Sequence, residues 1–236
     1  MIAKGGKSIY GASVGILMLD AKFPRILGDM GNALTWPFPV HYKVVRSATP
    51  DRAVVKGAHG LKDDFIAAAR ELVGDGVDGI TTNCGFLALF QNDLKASVSV
   101  PVATSSLMQV PAVAATLPPG KHVTILTISA SSLSPAHLVA AGAPDGTPVM
   151  GTDGGEEFTR AILRNECLLD VEKARADMLS AGHQLMSKHP NTGAIVLECT
   201  NMVPYAADLR DELGVPVYSI YSFVLWFQAG LAPRRW

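Results

Sequence analysis

The sequence ITTNC at residues 80–84 returns 115 positions later as IVLEC. Each copy is followed by an Asp-Leu pair and then by a Val-Pro-Val triplet, so that residues 80–104 and 195–219, aligned without a gap, share seven identities in 25 positions. Unrelated stretches of ordinary composition would share about one or two. We therefore predict a duplicated half-unit, with Cys84 and Cys199 at the same position of each copy.

Apolar runs of strand length alternate with helix-periodic segments along the whole chain. The predicted strands cover 12–19, 42–45, 79–82, 101–104, 123–128, 194–197 and 215–220. The predicted helices cover 61–73, 86–96, 107–116, 134–141, 156–164, 171–188, 202–213 and 222–231, and an irregular patch covers 142–155. This βαβα order favours an α/β fold of two pseudosymmetric lobes, each a parallel-sheet α/β sandwich, with the active site at the lobe interface.

A Pro-Pro-Gly linker at 118–120 marks the boundary between the two lobes. We expect residues 1–117 to form the first lobe and residues 118–216 the second, each carrying one of the two repeated cysteines. The apolar C-terminal segment, 217–236, is expected to pack back on the first lobe or to lie in an oligomer interface. A homo-oligomer is therefore an open alternative.

Composition and charge exclude several classes of partner. The 236 residues include 20 basic and 21 acidic side chains, a formal net charge of −1 that offers no footprint for nucleic acid or an anionic membrane. The apolar run at 12–19 is too short to span a bilayer and ends without a cleavage site, so we expect a cytoplasmic protein with free thiols. The six histidines show no metal-ligand spacing and the glycines no dinucleotide fingerprint, so neither a metal nor a cofactor is expected.

Each repeated cysteine directly follows a buried-type strand and precedes a predicted helix. Its sulfur should therefore sit at the carboxyl edge of a parallel sheet, where α/β proteins bind ligands. A helix N-terminus stabilises a thiolate and binds carboxylates, so we expect a modestly lowered thiol pKa. Two thiols that face one small molecule from opposite sides can remove a proton from one face of a carbon and return one to the other. We predict a cofactor-independent racemase or epimerase acting on the α-carbon of a small carboxylate.

The segments TNCG at 82–85 and ECTN at 198–201, in this βαβ order and separation, resemble the aspartate/glutamate racemase superfamily. The stretch 15–39, with LDAKFPR and GDMGN inside it, is similar to a racemase-like subgroup of that superfamily. The resemblance implies a cofactor-independent enzyme, independent of pyridoxal phosphate, with Cys84 and Cys199 as its two bases. It also implies that the α-carboxylate of an amino acid or derivative, such as aspartate, glutamate or a hydantoin, is held beside the cysteines.

The second cysteine segment departs from the glutamate racemase pattern, in which Cys-Thr-His stands where this chain has Asn201. The first also departs, with Gly85 in place of the asparagine of Cys-Asn-Thr. These differences argue against glutamate itself. Arylmalonate decarboxylases of the superfamily keep one cysteine, so two matched cysteines argue against that branch.

The candidate substrate-binding residues flank the cysteines, follow neighbouring strands, or lie in a long Gly- and Pro-rich loop at 20–40. They are Asn83, Gly85, Thr104, Ser105, Ser129, Thr200, Asn201 and Arg25. We expect the loop to line or cover the site. Its Arg25 is either the counter-ion of a second substrate carboxylate or solvent-facing, in which case an apolar pocket of Trp36, Phe38 and Phe86 would take a hydrophobic substrate.

Three other functions are compatible with the same residues. A maleate-type cis-trans isomerase would use one thiol to attack an alkene and the other to handle a proton. A non-enzymatic two-lobe protein would simply bind a small ligand, and a redox protein would join Cys84 and Cys199 in a disulfide.

Overall fold

Two four-stranded sheets, both entirely parallel, form the framework of the computed structural model, which describes residues 2–234. The first consists of β1 (Val14–Leu19), β2 (Val40–Val45), β3 (Gly79–Thr82) and β4 (Val102–Ala103), in the order β2-β1-β3-β4. The second consists of β5 (His122–Thr127), β6 (Val149–Gly151), β7 (Thr192–Leu197) and β8 (Val217–Tyr218), in the order β6-β5-β7-β8. The identical strand order confirms the predicted α/β fold with two equivalent lobes.

Helices connect the strands of each sheet, as parallel pairing requires. The α-helices are α1 (Pro50–Val54), α2 (Lys62–Asp75), α3 (Gln91–Ser97), α4 (Val110–Ala114), α5 (Pro135–Ala140), α6 (Phe158–Leu163), α7 (Val171–Lys188), α8 (Ala206–Leu213) and α9 (Ile220–Leu231). Short 3-10 helices cover Ala33–Thr35, Gly85–Phe90, Ser106–Gln109 and Thr200–Tyr205. Helix α7, predicted with the same bounds, begins where Asp170 accepts hydrogen bonds from two backbone amides of its first turn.

The sequence repeat corresponds to a structural repeat in which the elements that follow each cysteine keep the same spacing. The 3-10 helices Gly85–Phe90 and Thr200–Tyr205, the starts of α3 and α8, and the strands β4 and β8 are all separated by 115 residues. The predicted helices at 86–96 and 202–213 thus begin as 3-10 turns. In each, the backbone carbonyl of the cysteine accepts a hydrogen bond from the amide three residues on, Leu87 in one lobe and Met202 in the other.

Two short elements lie where the sequence showed no periodicity. Strand β6 lies within the patch 142–155 that was predicted to be irregular, and α1 follows β2, where Thr49 caps its first turn. Elements of three and five residues are too short to complete a hydrophobic period. The predicted strand 215–220 is also shorter than expected, because Ser219 ends it by capping α9.

The sheets are buried on both faces, which explains their continuous apolar runs. All six residues of β1 are buried. One face of that sheet packs against α9, where Phe223 and Val224 contact the cluster containing Val14 and Ile16. The C-terminal helix therefore packs on the first lobe. Within residues 2–234, no helix is both long and apolar enough to cross a bilayer.

Candidate active site

A small closed cavity lies between the carboxyl edges of the two sheets. Its wall contains Leu19, Phe23, Pro50, Val54, Asn83, Cys84, Gly85 and Phe86 from the first lobe and Ile128, Ile162, Leu163, Glu198, Cys199, Thr200 and Asn201 from the second. Both repeated cysteines thus line one cavity. Its volume of about 20 Å³ is roughly the space that one water molecule needs, so a larger substrate requires side chains or a loop to move.

Each cysteine is the N-cap residue that directly precedes a 3-10 helix, so its sulfur faces free backbone amides. The amides of Phe86 and Leu87 face the sulfur of Cys84, and the amide of Asn201 faces that of Cys199. The thiol of Cys199 also donates to Oδ1 of Asn201 at 3.6 Å. Both sulfurs are free thiols, so the two cysteines are not joined in a disulfide here.

Burial outweighs these amides in setting the thiol pKa. Desolvation, followed by the charge of Glu198, raises the pKa of Cys84 to about 12, although the amides of Phe86 and Leu87 lower it. Burial and Glu198 also raise the pKa of Cys199 well above its usual value. The expected lowering of a thiol pKa by the helix N-terminus is therefore wrong for the closed cavity.

Glu198 is a fully buried carboxylate beside the two thiols. Its Oε2 accepts a hydrogen bond from the hydroxyl of Thr127 at 2.7 Å, and the carboxylate also accepts one from the amide of Ile128. Its Oε1 is buried and has no hydrogen-bond partner among the described residues. Burial raises the pKa of Glu198 to about 7. Sequence reasoning missed this residue as a functional group, although it directly precedes Cys199.

The lobes are joined by hydrogen bonds from residues next to the cysteines. The Thr200 hydroxyl donates to the backbone oxygen of Asn83 at 2.7 Å. Asn83 in turn accepts the amide of Leu19 on its Oδ1 at 2.7 Å. The side chains of Thr200 and Asn83 both line the cavity, and their hydrogen bonds fix the position of the backbone around it. Gly85 contacts Glu198 directly, since a Cβ there would lie 2.8 Å from the Glu198 Cδ and closer still to its Oε1 and backbone oxygen.

The loop at 20–40 reaches from the first lobe to the second and contributes Phe23 to the cavity wall. Asn201 donates to the buried carboxylate of Asp29. Asp29 also accepts Nη1 of Arg25 at 2.9 Å, and the two form an ion pair that is mostly buried. The amide of Lys22 donates to Oδ1 of Asn165 at 2.6 Å. A chain of polar contacts therefore runs from Cys199 through Asn201 and Asp29 to Arg25.

Arg25 does not line the cavity but packs behind Phe23, which does. Its guanidinium lies over the ring of Phe23 at 4.8 Å, and its Nη2 is buried without a hydrogen-bond partner in the described part of the chain. The stem of Arg25 crosses Gly31, where a Cβ would lie 2.6 Å from Nε. Asp29, which orients this arginine, was not singled out from the sequence.

Several predicted site residues do not line the cavity. The hydroxyl of Thr104 donates to Gln91, that of Ser105 accepts the amide of Leu107, and that of Ser129 contacts Ser131 and Ser132. These three side chains serve local structure instead of the cavity wall. Trp36 and Phe38 stack on one another away from the cavity, so only Phe86 of the predicted apolar set belongs to it. Among residues 2–234, no group of three or more His, Cys, Asp or Glu could hold a metal ion.

Comparison with known proteins gives relatives in sequence and in structure. The chain is 30% identical over 224 residues to a dimethylsulfoniopropionate lyase of Durusdinium sp. clade D, covering 89% of this chain and 72% of that protein. It is also 30% identical to dimethylsulfoniopropionate lyase 6 of Emiliania huxleyi (strain CCMP1516), covering 87% of this chain but only 56% of that protein. No family model matches the chain.

Solved structures share the fold at lower identity. A Gly74Cys mutant of arylmalonate decarboxylase has a TM-score of 0.61 at 15% identity and covers 92% of both chains. Glutamate racemase isoform RacE1 of Bacillus anthracis has a TM-score of 0.59 at 13% identity, covering 94% of this chain and 85% of that one. Allantoin racemase of Pseudomonas fluorescens has a TM-score of 0.52 at 14% identity, covering 92% and 90%. These solved structures confirm the predicted two-lobed α/β fold.

Proposed function

The chain belongs to the dimethylsulfoniopropionate lyase family, and we propose that it cleaves dimethylsulfoniopropionate, or a closely related sulfonium carboxylate, by β-elimination in the two-thiol cavity. This proposal replaces inversion of a stereocentre, predicted from the sequence, as the preferred reaction. It keeps the predicted small carboxylate as substrate and the two cysteines as the reacting groups.

The reaction follows from the structure of the named substrate, a three-carbon carboxylate with a dimethylsulfonium group on its β-carbon. A cysteine thiolate removes a proton from the α-carbon and becomes a thiol. The electron pair of that C–H bond forms the carbon–carbon double bond. The bond from the β-carbon to sulfur breaks, and its electron pair leaves with sulfur as neutral dimethyl sulfide, so acrylate remains. Thiol-based abstraction of an α-proton is also the step predicted for racemisation.

One observation carries the proposal: a thiol from each lobe lines a single cavity whose remaining wall is largely apolar and includes Phe23 and Phe86. A methyl-rich sulfonium cation is well suited to such a wall, because aromatic faces attract cations and apolar atoms contact methyl groups. Water is largely excluded from a space of about 20 Å³, which strengthens the electrostatic interactions on which proton removal depends.

We assign the role of base to Cys84. Two amides, those of Phe86 and Leu87, and the positive charge of Arg25 lower its pKa against the effect of burial. Cys199 has only one such amide, and the negative charge of Asp29 raises its pKa further. Cys84 is thus the thiol that ionises more easily. Cys199 contacts the opposite side of the substrate, where it can donate a proton.

The substrate carboxylate has two candidate partners, the exposed amides at the start of a 3-10 helix and the free Nη2 of Arg25. Arg25 reaches the cavity only if the loop at 20–40 shifts, and such a shift is one way for the small cavity to admit a substrate of this size. Binding of the carboxylate by Arg25 would bring that loop back over the thiols.

Racemisation or epimerisation is the second candidate, and one observation favours it. Elimination needs only one base, whereas the duplicated site retains a matched thiol in each lobe. The two reactions begin alike and diverge after the α-proton is removed, according to whether the substrate carries a leaving group on its β-carbon.

Dimethyl sulfide release, measured by gas chromatography, tests the proposal. We expect wild-type protein to release it and Cys84→Ser to lose activity by a factor of at least about 10², because a serine hydroxyl is a far weaker acid than a thiol. Cys167→Ser is the matched control, since that cysteine is exposed and lies outside the cavity. Release that survives Cys84→Ser would overturn the assignment of the base. Absence of release, together with α-deuteration of an amino acid in deuterium oxide, would favour the racemase.

A further inference from the structure

We infer that Glu198 receives the cationic end of the substrate and so makes this cavity selective for a carboxylate that also carries a fixed positive charge. The inference rests on the proposed function and extends it, because it names the residue that distinguishes a sulfonium substrate from a neutral one.

The position of the carboxylate supports this role. Glu198 is inaccessible to solvent, lies on the cavity wall between the two lobes, and contacts Gly85 with its unpartnered Oε1. None of the described ion pairs includes it. The guanidinium of Arg25, which acts on Cys84, is engaged by Asp29. One oxygen of a buried carboxylate is therefore available to a cation in the cavity.

A purely structural role does not require the charge of Glu198. Glu198 acts only as an acceptor in its hydrogen bonds with Thr127 and Ile128, a role that the side-chain oxygen of a glutamine could also fill. Burial of a carboxylate without a cationic partner is unfavourable. A bound sulfonium would supply the missing positive charge.

The same contact would couple substrate binding to formation of the base. Glu198 disfavours the thiolates of Cys84 and Cys199 because its negative charge repels theirs. A cation beside Glu198 offsets that repulsion, so the correct substrate makes its own proton acceptor easier to ionise. A neutral substrate of the same shape would not. Asp29 is the remaining carboxylate that acts on this pair of thiols, and Arg25 neutralises it in part.

The direction of the pH dependence follows from the same contact. The pKa of Glu198 is about 7, and a bound cation favours the ionised carboxylate. Binding of the cation should therefore strengthen as the pH rises from 6 to 8, whereas binding of a neutral isostere should lack this increase. This difference can be measured on the wild-type protein alone.

Calorimetric titration with two non-sulfonium probes tests the inference. One is propanoate with a trimethylammonium group on its β-carbon, and the other is its isostere with a tert-butyl group in that position. At pH 8 we expect wild-type protein to bind the cation about 10- to 100-fold more tightly. Glu198→Gln should abolish the preference, and Glu198→Asp should retain part of it. Glu157→Gln, which changes a buried carboxylate outside the cavity, should leave it intact.

Three results would overturn the inference: equal binding of the two probes by the wild type, binding of neither, or an undiminished preference in Glu198→Gln. These outcomes are separate from the test of the lyase reaction, which measures dimethyl sulfide. If Glu198→Gln does not fold, the pH dependence of the wild-type preference decides, and a preference that stays constant from pH 6 to 8 would exclude Glu198.

Discussion

Replacement of Gly85 by alanine tests the contact between the lobes at the candidate site. The new Cβ would lie 2.8 Å from Cδ of Glu198 and closer still to its Oε1 and its backbone oxygen. The side chain cannot easily move away, because the Thr127 hydroxyl donates a hydrogen bond to it at 2.7 Å. The backbone of Glu198 is also fixed, since its amide donates a hydrogen bond to the carbonyl of Leu126. Overpacking of this kind destabilises proteins by about 1–3 kcal/mol.

The expected change in melting temperature follows from the size of the chain. For a protein of this length, each kcal/mol shifts the melting temperature by about 2–4 °C, so Gly85→Ala should melt roughly 2–12 °C lower. Dimethyl sulfide release should also fall, because the two thiols are displaced from one another. Calorimetry and gas chromatography provide the two measurements.

Gly74→Ala is the matched control for the same chemical change. Gly74 lies inside helix α2, and a Cβ there would have no neighbour within 4 Å. Alanine should stabilise that helix by up to about 1 kcal/mol, because it loses less backbone entropy than glycine. If Gly85→Ala matched this control in stability and activity, the close contact between Gly85 and Glu198 would not exist in solution.

Three further outcomes are expected. The unfolding free energy should fall by up to about 3 kcal/mol as the pH rises from about 4.5 to 7. The reason is that folded Glu198, with a pKa of about 7, keeps a proton that the unfolded chain loses. Urea titrations should show this decrease in the wild type and not in Glu198→Gln. Arg25→Ala should raise the KM for dimethyl sulfide release about tenfold or more, with partial recovery in Arg25→Lys, because lysine keeps the positive charge but not the planar guanidinium, whose Nη1 pairs with Asp29 and whose Nη2 has no partner among the described residues. Thr200→Val should lower the stability by about 1–3 kcal/mol in urea titrations, since it leaves the buried oxygen of Asn83 without its donor.

The repeat around the cysteines was sufficient to predict the fold and to bring the two thiols to one place. The alternation of strands and helices, and the position of each cysteine after a strand and before a helix, depend on local patterns that occur in both halves of the chain, whereas the strand order within each sheet was not predicted. A duplicated motif also predicts distance: residues at equivalent positions of two facing lobes approach each other across the interface. That is why Cys84 and Cys199 could be paired without knowledge of the lobes' packing.

The electrostatic character of the site could not be predicted in the same way. A cysteine at the start of a helix suggested a lowered thiol pKa, but the closed lobes remove the sulfur from water and place Glu198 beside it. Both effects arise from contacts between segments far apart in sequence. Asp29 is a second example, because its partners Arg25 and Asn201 belong to different lobes. One signal was available: a glutamate occupies the last position before Cys199, at the end of an otherwise apolar strand.

The hydroxyls of Thr104 and Ser129, which were predicted to bind substrate, have partners within their own lobes. Each follows a strand at the carboxyl edge of its sheet, which is where ligand-binding residues occur in α/β proteins. Structural hydrogen bonds are made at the same edge: the hydroxyl of Thr104 donates to the side chain of Gln91, and that of Ser129 contacts Ser131 and Ser132 in the turn that follows. A position at the carboxyl edge of a sheet is therefore not enough to identify a ligand-binding residue. Ser106, two residues after Thr104, does face the opposite lobe, where its hydroxyl donates to the backbone oxygen of Leu197 at 2.6 Å.

A frame built for proton transfer at an α-carbon can serve elimination without a new catalytic group. Once Cys84 has taken the α-proton, the electron pair either accepts a proton from Cys199 or expels a group from the β-carbon. A sulfonium leaves as a neutral molecule, and its departure also removes the positive charge that we place beside Glu198. Cys84, now a thiol, then loses the neighbouring cation that favoured its ionisation. The group on the β-carbon therefore decides which reaction follows. We expect a carboxylate without a leaving group to take up deuterium at its α-carbon, and a carboxylate with a sulfonium group on its β-carbon to form acrylate.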